Sequence, residues 1–155
     1  MNRQQHQMMQ IVQKIDTFKG LDASEAGPLI RMCRFQVWQL SQIIYQIGQP
    51  STDMIILLHG ELSVTSQSGE AIGRILPGTS TGEMGILTGQ PRSANVTAAI
   101  ESTGLIIHKD GLETLMAENW HVHVKILRNM LNLLCKRLTD ADVLIENYAR
   151  LARKG

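Results

Sequence analysis

Apolar residues recur at three- and four-residue spacing near the start of the chain: Met8, Ile11, Val12, Ile15 and Phe18. This spacing puts them on one face of a helix, and Gly20 is placed to end it. Asp22 and Ser24 are good N-cap residues for a second, short helix running to about Arg34. From Phe35 to about Ser102 the pattern changes to short β-rich runs at 35–47, 54–58, 62–66, 71–76, 94–100 and 105–108. Turn signals separate them at 48–50, Gly60, 68–69, 77–78 and Gly104. Strands this closely spaced, with no helices between them, predict an antiparallel sandwich or jelly roll rather than a parallel sheet. After Asp110 the pattern turns helical again, with a short helix over 111–118 and one long helix from Trp120 to about Arg153.

The long helix carries a second pattern. Val124, Leu127, Leu131, Leu134, Leu138, Ala141, Ile145, Tyr148 and Ala152 alternate by three and four residues, which is an a/d seam of about four heptads. A helix of this length extends about 50 Å, more than the width of a small domain, so its C-terminal half should overhang. The favoured reading is a parallel homodimer through residues 124–152. The alternative is a stripe packed on the chain's own domain.

Composition narrows the function classes. At 155 residues the chain is one domain of ordinary size, and its 43% hydrophobic content is that of a folded protein. A net charge of +1 provides no global field for nucleic acid or an anionic membrane. The longest apolar run, 54–58, is far below the roughly 20 residues of a bilayer span. The opening MNRQQHQMMQ is too polar for a signal peptide. Cys33 and Cys135 lack metal-ligand spacing and read as buried thiols in a reducing compartment, so a cytoplasmic protein is expected. His121 and His123 would point about 200° apart on a helix, which disfavours a metal-dependent cupin. Residues 77–85 lack the lysine of a Walker loop, and no cysteine cluster suits an iron–sulfur sensor. His6, His59 and His108 read as surface or satisfied core residues. Neither a metal site nor a catalytic constellation emerges.

The stretch 82–96, GEMGILTGQPRSANV, carries the candidate chemistry. Thr81 is placed to cap a short helix over 82–87, Gly89 to end it, and Pro91 to prevent its resumption. Gly82 and Gly85 allow a ligand close to the backbone. Arg92 supplies a guanidinium fork for two phosphate oxygens, and Ser93 a hydroxyl donor. The acceptor-only carboxylate of Glu83 repels a phosphate but suits a sugar hydroxyl. One cation for one anion implies a singly charged phosphate, hence a diester. A diester beside a free ribose hydroxyl describes a 3′,5′-cyclic nucleotide.

Here the chain resembles the cyclic-nucleotide-binding domain family of catabolite-activator-type regulators, cyclic-nucleotide-dependent kinases and nucleotide-gated channels. Gly82-Glu83-Met84 followed by Pro91-Arg92-Ser93-Ala94-Asn95-Val96 matches its phosphate-binding cassette. Phe18-Lys19-Gly20-Leu21, Gly48-Gln49-Pro50 and Leu57-Leu58-His59-Gly60-Glu61-Leu62 extend the likeness over nearly the whole chain. The resemblance implies an α+β fold: a double-stranded β-helix (jelly roll) of about eight antiparallel strands, with N-terminal helices and a long C-terminal dimerisation helix. It places Glu83 on the ribose 2′-hydroxyl, Gly82 close to the ribose, Arg92 on the cyclic phosphate, and Ser93 and the Ala94 N–H in the phosphate shell, with Met84 and Val96 in the same cassette. Thr81 departs from the family's usual bulky apolar residue, which loosens local packing without removing a ligand contact.

By analogy with catabolite-activator-type dimers, the base should meet the long helix at Ala141 and Asp142, where those dimers carry hydroxyl-bearing residues. A carboxylate at Asp142 accepts from guanine N1–H and N2–H together or from an adenine amino group. The ligand expected is cAMP, with cGMP its competitor. The expected organisation is one domain over 1–155: helices over 1–34, a β-roll over 35–110 holding the cassette, and helices over 111–155. No DNA-binding helix-turn-helix is expected after the long helix. The leading expectation is a non-catalytic cyclic-nucleotide sensor coupled to a homodimer, with no nucleic acid or membrane partner and with room for an effector protein. The alternatives are the ligand-binding half of a transcription regulator or other multidomain protein, and a dimerisation scaffold with a vestigial pocket.

Overall fold

The computed structural model describes residues 3–153, apart from the side chains of residues 3–5 and 8, so the expected placement of Met8 on an apolar face lies outside the described residues. Helix α1 (Arg3–Lys14) leads through a 3-10 turn (Asp16–Phe18) to α2 (Ala23–Met32). Of the two candidate caps, Asp22 is the one that caps α2: its Oδ1 accepts from the N–H groups of Ser24 and Glu25 at 2.8 and 3.0 Å. Glu25 in turn accepts from the Asp22 N–H at 2.9 Å, completing a capping box.

Eight strands follow: β1 (Arg34–Trp38), β2 (Ile43–Tyr45), β3 (Asp53–His59), β4 (Leu62–Thr65), β5 (Ala71–Ile75), β6 (Ser80–Thr81), β7 (Asn95–Ala98) and β8 (Ser102–His108). They form two antiparallel four-stranded sheets, ordered β1-β8-β3-β6 and β2-β7-β4-β5. This is the α+β jelly roll the sequence led us to expect. Strand β3 explains the run at 54–58, because successive side chains point to opposite faces. Met54 and Ile56 join a core with α1, α2 and the C-terminal helices, whereas Ile55 and Leu57 enter a second core between the sheets, with Trp38, Leu62 and Val96. Both faces of the strand are buried, so the run is continuous rather than alternating.

Three expectations for the strands change. The run 35–47 is two strands in different sheets. Its break is a turn in which Ser41 takes φ 66°, its N–H donates to the Ala98 carbonyl at 2.8 Å, and the Gln42 side chain accepts from the Gln39 N–H. Gly104 is not a turn but lies within β8. A Cβ there would come within 2.5 Å of the Ile56 carbonyl oxygen and 2.9 Å of the Trp38 ring, so the glycine makes room for a neighbouring strand and an indole. Strand β6, two small polar residues, had no apolar pattern to announce it.

Helix α3 (Glu83–Thr88) interrupts the strands, and α4 (Lys109–Glu118) and α5 (Trp120–Ala152) follow them. Asn119 caps α5 by accepting from the Val122 N–H at 3.1 Å. Val122, Ile126 and Met130 are the residues of α5 buried in the helical core. Lys125 pairs with Glu25 at 2.6 Å, and Asn129 donates to the Lys19 carbonyl at 2.8 Å. The stripe that packs on the domain is therefore not the a/d seam. Leu131, Leu138, Ile145 and Tyr148 are 61–65% exposed, and from Leu138 to residue 153 every residue of the helix is exposed.

Candidate functional site: a cavity between the cassette and α5

A cavity of about 600 Å³ opens between β5, the 81–96 segment and α5, within the size range of small-molecule sites. Strand β6 leads into α3 through Gly82, whose φ of 94° is left-handed and favours glycine. A Cβ on Gly82 would also come within 2.8 Å of Arg92 Nη1 and 3.0 Å of the Asp53 carbonyl oxygen. Two local expectations are corrected here. Thr81 belongs to β6 and does not cap α3, because Gly82 occupies the N-cap position and makes no side-chain cap. A Cβ on Gly85 would overlap Ser51, so that glycine serves internal packing rather than ligand approach. Gly89 ends the helix with φ 70°, as expected.

Glu83 is fully buried. One carboxylate oxygen, Oε1, is ion-paired with Arg137 of α5, while Oε2 has no hydrogen-bond partner among the described residues. Burial pushes the Glu83 pKa up, and the Arg137 guanidinium opposes that shift without cancelling it. Arg137 also donates from Nη2 to the Ser80 carbonyl. A buried acceptor without a donor is costly, so Oε2 is suited to a hydroxyl.

Arg92 is also buried. Its Nη2 donates to the Asp53 carbonyl oxygen at 2.7 Å and to Asp53 Oδ1 at 3.0 Å. The guanidinium stacks 3.5 Å from the centroid of the Tyr45 ring. The sequence implied a single cation at the site; Arg137 and Arg74 also line the cavity, so Arg92 is one of three.

Gly82, Glu83, Met84, Arg92, Ser93, Ala94 and Val96 all line the cavity. Asp142 does not: it is exposed and outside the lining. From α5 the cavity takes Arg137, Asp140, Ala141 and Leu144, which share a face at spacings of three and four. Asp142 is one residue beyond Ala141, about 100° around the helix. Extending the helical phase from Ala141 would have led to Arg137 and Leu144. Tyr45 and Asp53 carried no such signal, since nothing local says that β2 and β3 converge on Arg92. Among the described residues, no group of three or more His, Cys, Asp or Glu could hold a metal ion, and no helix is long and apolar enough to cross a membrane.

A cassette with a buried glutamate and arginine, set in a β-roll beneath a long helix, defines a class of ligand-binding regulatory domain. The family model of the cyclic nucleotide-binding domain matches residues 36–119, more than half of the chain, and the chain belongs to that family. Among curated proteins it is similar to a cyclic nucleotide-gated potassium channel of Mesorhizobium japonicum, 28% identical over 110 residues, or 71% of this chain and 30% of the channel. Glutaminase 1 of Bradyrhizobium diazoefficiens is 28% identical over 128 residues, or 83% of this chain and 21% of that protein. The chain thus spans less than a third of these relatives. Among solved structures, a cyclic nucleotide-binding domain from Methylobacillus flagellatus superposes with a TM-score of 0.81 at 24% identity, covering 94% of this chain and 84% of that one. The regulatory domain of Toxoplasma gondii PKA, crystallised with cAMP, gives 0.68 at 22% identity over 74% of this chain and 46% of that one. These two likenesses establish the fold.

Proposed function

We propose that this chain is a non-catalytic sensor of a 3′,5′-cyclic nucleotide, cAMP or its competitor cGMP, that passes binding on to a homodimer through α5. The observation that carries this reading is Glu83 Oε2, buried and unpartnered in the wall of a cavity that also holds Arg92. The ribose 2′-hydroxyl donates to that oxygen. The cyclic phosphate takes the free donors of Arg92, with Ser93 and the Ala94 N–H beside it. The base lies toward Ala141 and Leu144.

Arg137 links this site to the output, since it reaches from α5 to the same carboxylate that would receive the ribose. A ligand shifts a helix only through contacts that differ between two states, and a ribose sharing Glu83 with Arg137 supplies such a difference. The exposed heptad seam supports pairing with a second copy. Cys33 is half-buried and Cys135 is exposed, so they are not the two buried thiols expected, but two free cysteines still fit a reducing, cytoplasmic setting. The module would serve a larger protein or a separate effector.

Isothermal titration calorimetry with cAMP and cGMP tests the reading. Saturable binding of at least one of them, with one site per chain, is expected. No binding of either would leave the cavity without its proposed ligand.

A further inference from the structure

Each cation around the cavity is matched by an anion. Arg92 pairs with Asp53 at 3.0 Å, Arg137 with Glu83, and at the mouth Arg74 pairs with Glu61 at 3.4 Å. Asp140 adds one more carboxylate to the lining. Among the described residues, every cation that lines the cavity therefore already faces an anion. The innermost pair is held tightly: the Arg92 and Asp53 side chains are only 5% and 20% exposed. Tyr45 stacks on the guanidinium and donates its hydroxyl to the same Asp53 oxygen. Burial first, and the Asp53 carboxylate second, push the Tyr45 pKa up, so its hydroxyl remains a donor at physiological pH. The hydrogen bonds of Arg92 are concentrated on Nη2, with a longer one from Nη1 to the Gly82 carbonyl at 3.5 Å. Donors are left on the other nitrogens for a ligand, but no surplus charge is.

We propose that Asp53, aimed by Tyr45, restricts the cavity to phosphates with a single negative charge, so that it accepts a cyclic diester and rejects the linear nucleoside monophosphate formed when that ring is hydrolysed. This deepens, and rests on, the reading of the cavity as a cyclic-nucleotide site. A cyclic diester keeps one charge, whereas a phosphate monoester has a second pKa of about 6 and approaches two charges above it. The first charge shares Arg92 with Asp53. A second would meet the carboxylates of Asp53 and Glu83, with Arg137 already paired to Glu83 and Arg74 to Glu61, in surroundings where like charges are poorly screened. A hydrolysed messenger would thus be expelled by its own added charge.

The test is calorimetric titration of the parent, Asp53→Asn and Tyr45→Phe with cAMP and 5′-AMP, and with the corresponding guanine pair, at about pH 7.5 and about pH 5.5, either side of the monoester pKa. The titratable and charged groups around the expected phosphate position are Tyr45, Arg74, Glu83, Arg92, Arg137 and Asp140, which line the cavity, and Asp53 of β3, which stands behind the lining and reaches it through its pair with Arg92. Any of these that titrates acts on both members of a pair, so the cyclic-to-linear affinity ratio isolates the charge of the ligand. In the parent the ratio should fall about tenfold from the higher to the lower pH, as the linear phosphate gains a proton. Asp53→Asn should lower the ratio at the higher pH by about tenfold and flatten its pH dependence, and Tyr45→Phe should move it less in the same direction. A parent ratio equal at both pH values overturns the proposal even if Asp53→Asn does not fold. So does an Asp53→Asn protein that binds cAMP with the parent's ratio, while leaving the site reading intact. Failure of the parent to bind either cyclic nucleotide overturns the site reading and this proposal with it.

Discussion

Glu83 joins two demands at a single residue: its burial disfavours the charge, and Arg137 favours it. Because the folded-state pKa is raised, the unfolded chain gives up this proton first as pH rises. Stability linked to Glu83 is therefore greatest below its ordinary value of 4.5 and declines as pH rises through the raised value. Removing the partner should deepen that decline. Arg137→Ala is expected to cost about 1–3 kcal/mol at neutral pH and markedly less near pH 4.5. That is below the full range for buried pairs because the Arg137 side chain is 36% exposed. Urea unfolding of parent and variant at the two pH values checks it; equal losses at both would mean that Arg137 does not stabilise the Glu83 carboxylate. A second prediction at this scale concerns base choice. Asp140, which lines the cavity, should matter where Asp142 does not. Asp140→Ala should weaken cGMP more than cAMP by about 1 kcal/mol, since a carboxylate accepts from guanine N1–H and N2–H together. Asp142→Ala should leave the ratio unchanged, and competition binding with both nucleotides distinguishes the two positions. The cassette residues were legible because their chemistry lies in one continuous segment. Asp140 was missed because family analogy pointed to Ala141 and Asp142, and Asp142 lies two residues, about 200°, around the helix from Asp140.

At the scale of elements, α5 divides its faces. Val122, Ile126 and Met130 hold it to the domain, while the heptad seam, apart from the half-buried Leu134, stays exposed. An apolar stripe of this regularity is expected to pair with its copy. Leu138→Asp together with Ile145→Asp would put carboxylates into the seam, where desolvation is costly. Sedimentation at micromolar concentration should show a dimer for the parent and a monomer with unchanged β-sheet signal for the double variant. A monomeric parent would remove the coiled coil from the account. Helices α2 and α5 were readable because a capping box and a heptad repeat are local signals, and most strands were readable because turn residues bracket them. The split of 35–47 was not, since the turn, closed locally between Gln39 and Gln42, is fixed against β7 by the Ser41 N–H donating to the Ala98 carbonyl and the Ala98 N–H donating to the Gln42 carbonyl. Gly104 misled for a related reason: the glycine answers to Trp38, distant in sequence.

Over the whole molecule, the cavity-facing residues Arg137, Asp140 and Leu144 of α5 adjoin the seam residues Leu138 and Ile145, and Ala141 belongs to both sets. Ligand and partner copy would therefore act on neighbouring faces of one helix, and the cassette is joined to that helix through Glu83 and Arg137. All of this depends on a cyclic phosphate sitting at Arg92. The most direct measurement is titration of the parent and Arg92→Ala with the better-binding cyclic nucleotide, with thermal melts to establish that both are folded. The variant loses the guanidinium and leaves Asp53 facing the phosphate, so affinity should fall about a hundredfold or more, roughly 3 kcal/mol. An Arg92→Ala protein that is folded and binds as tightly as the parent would contradict the account.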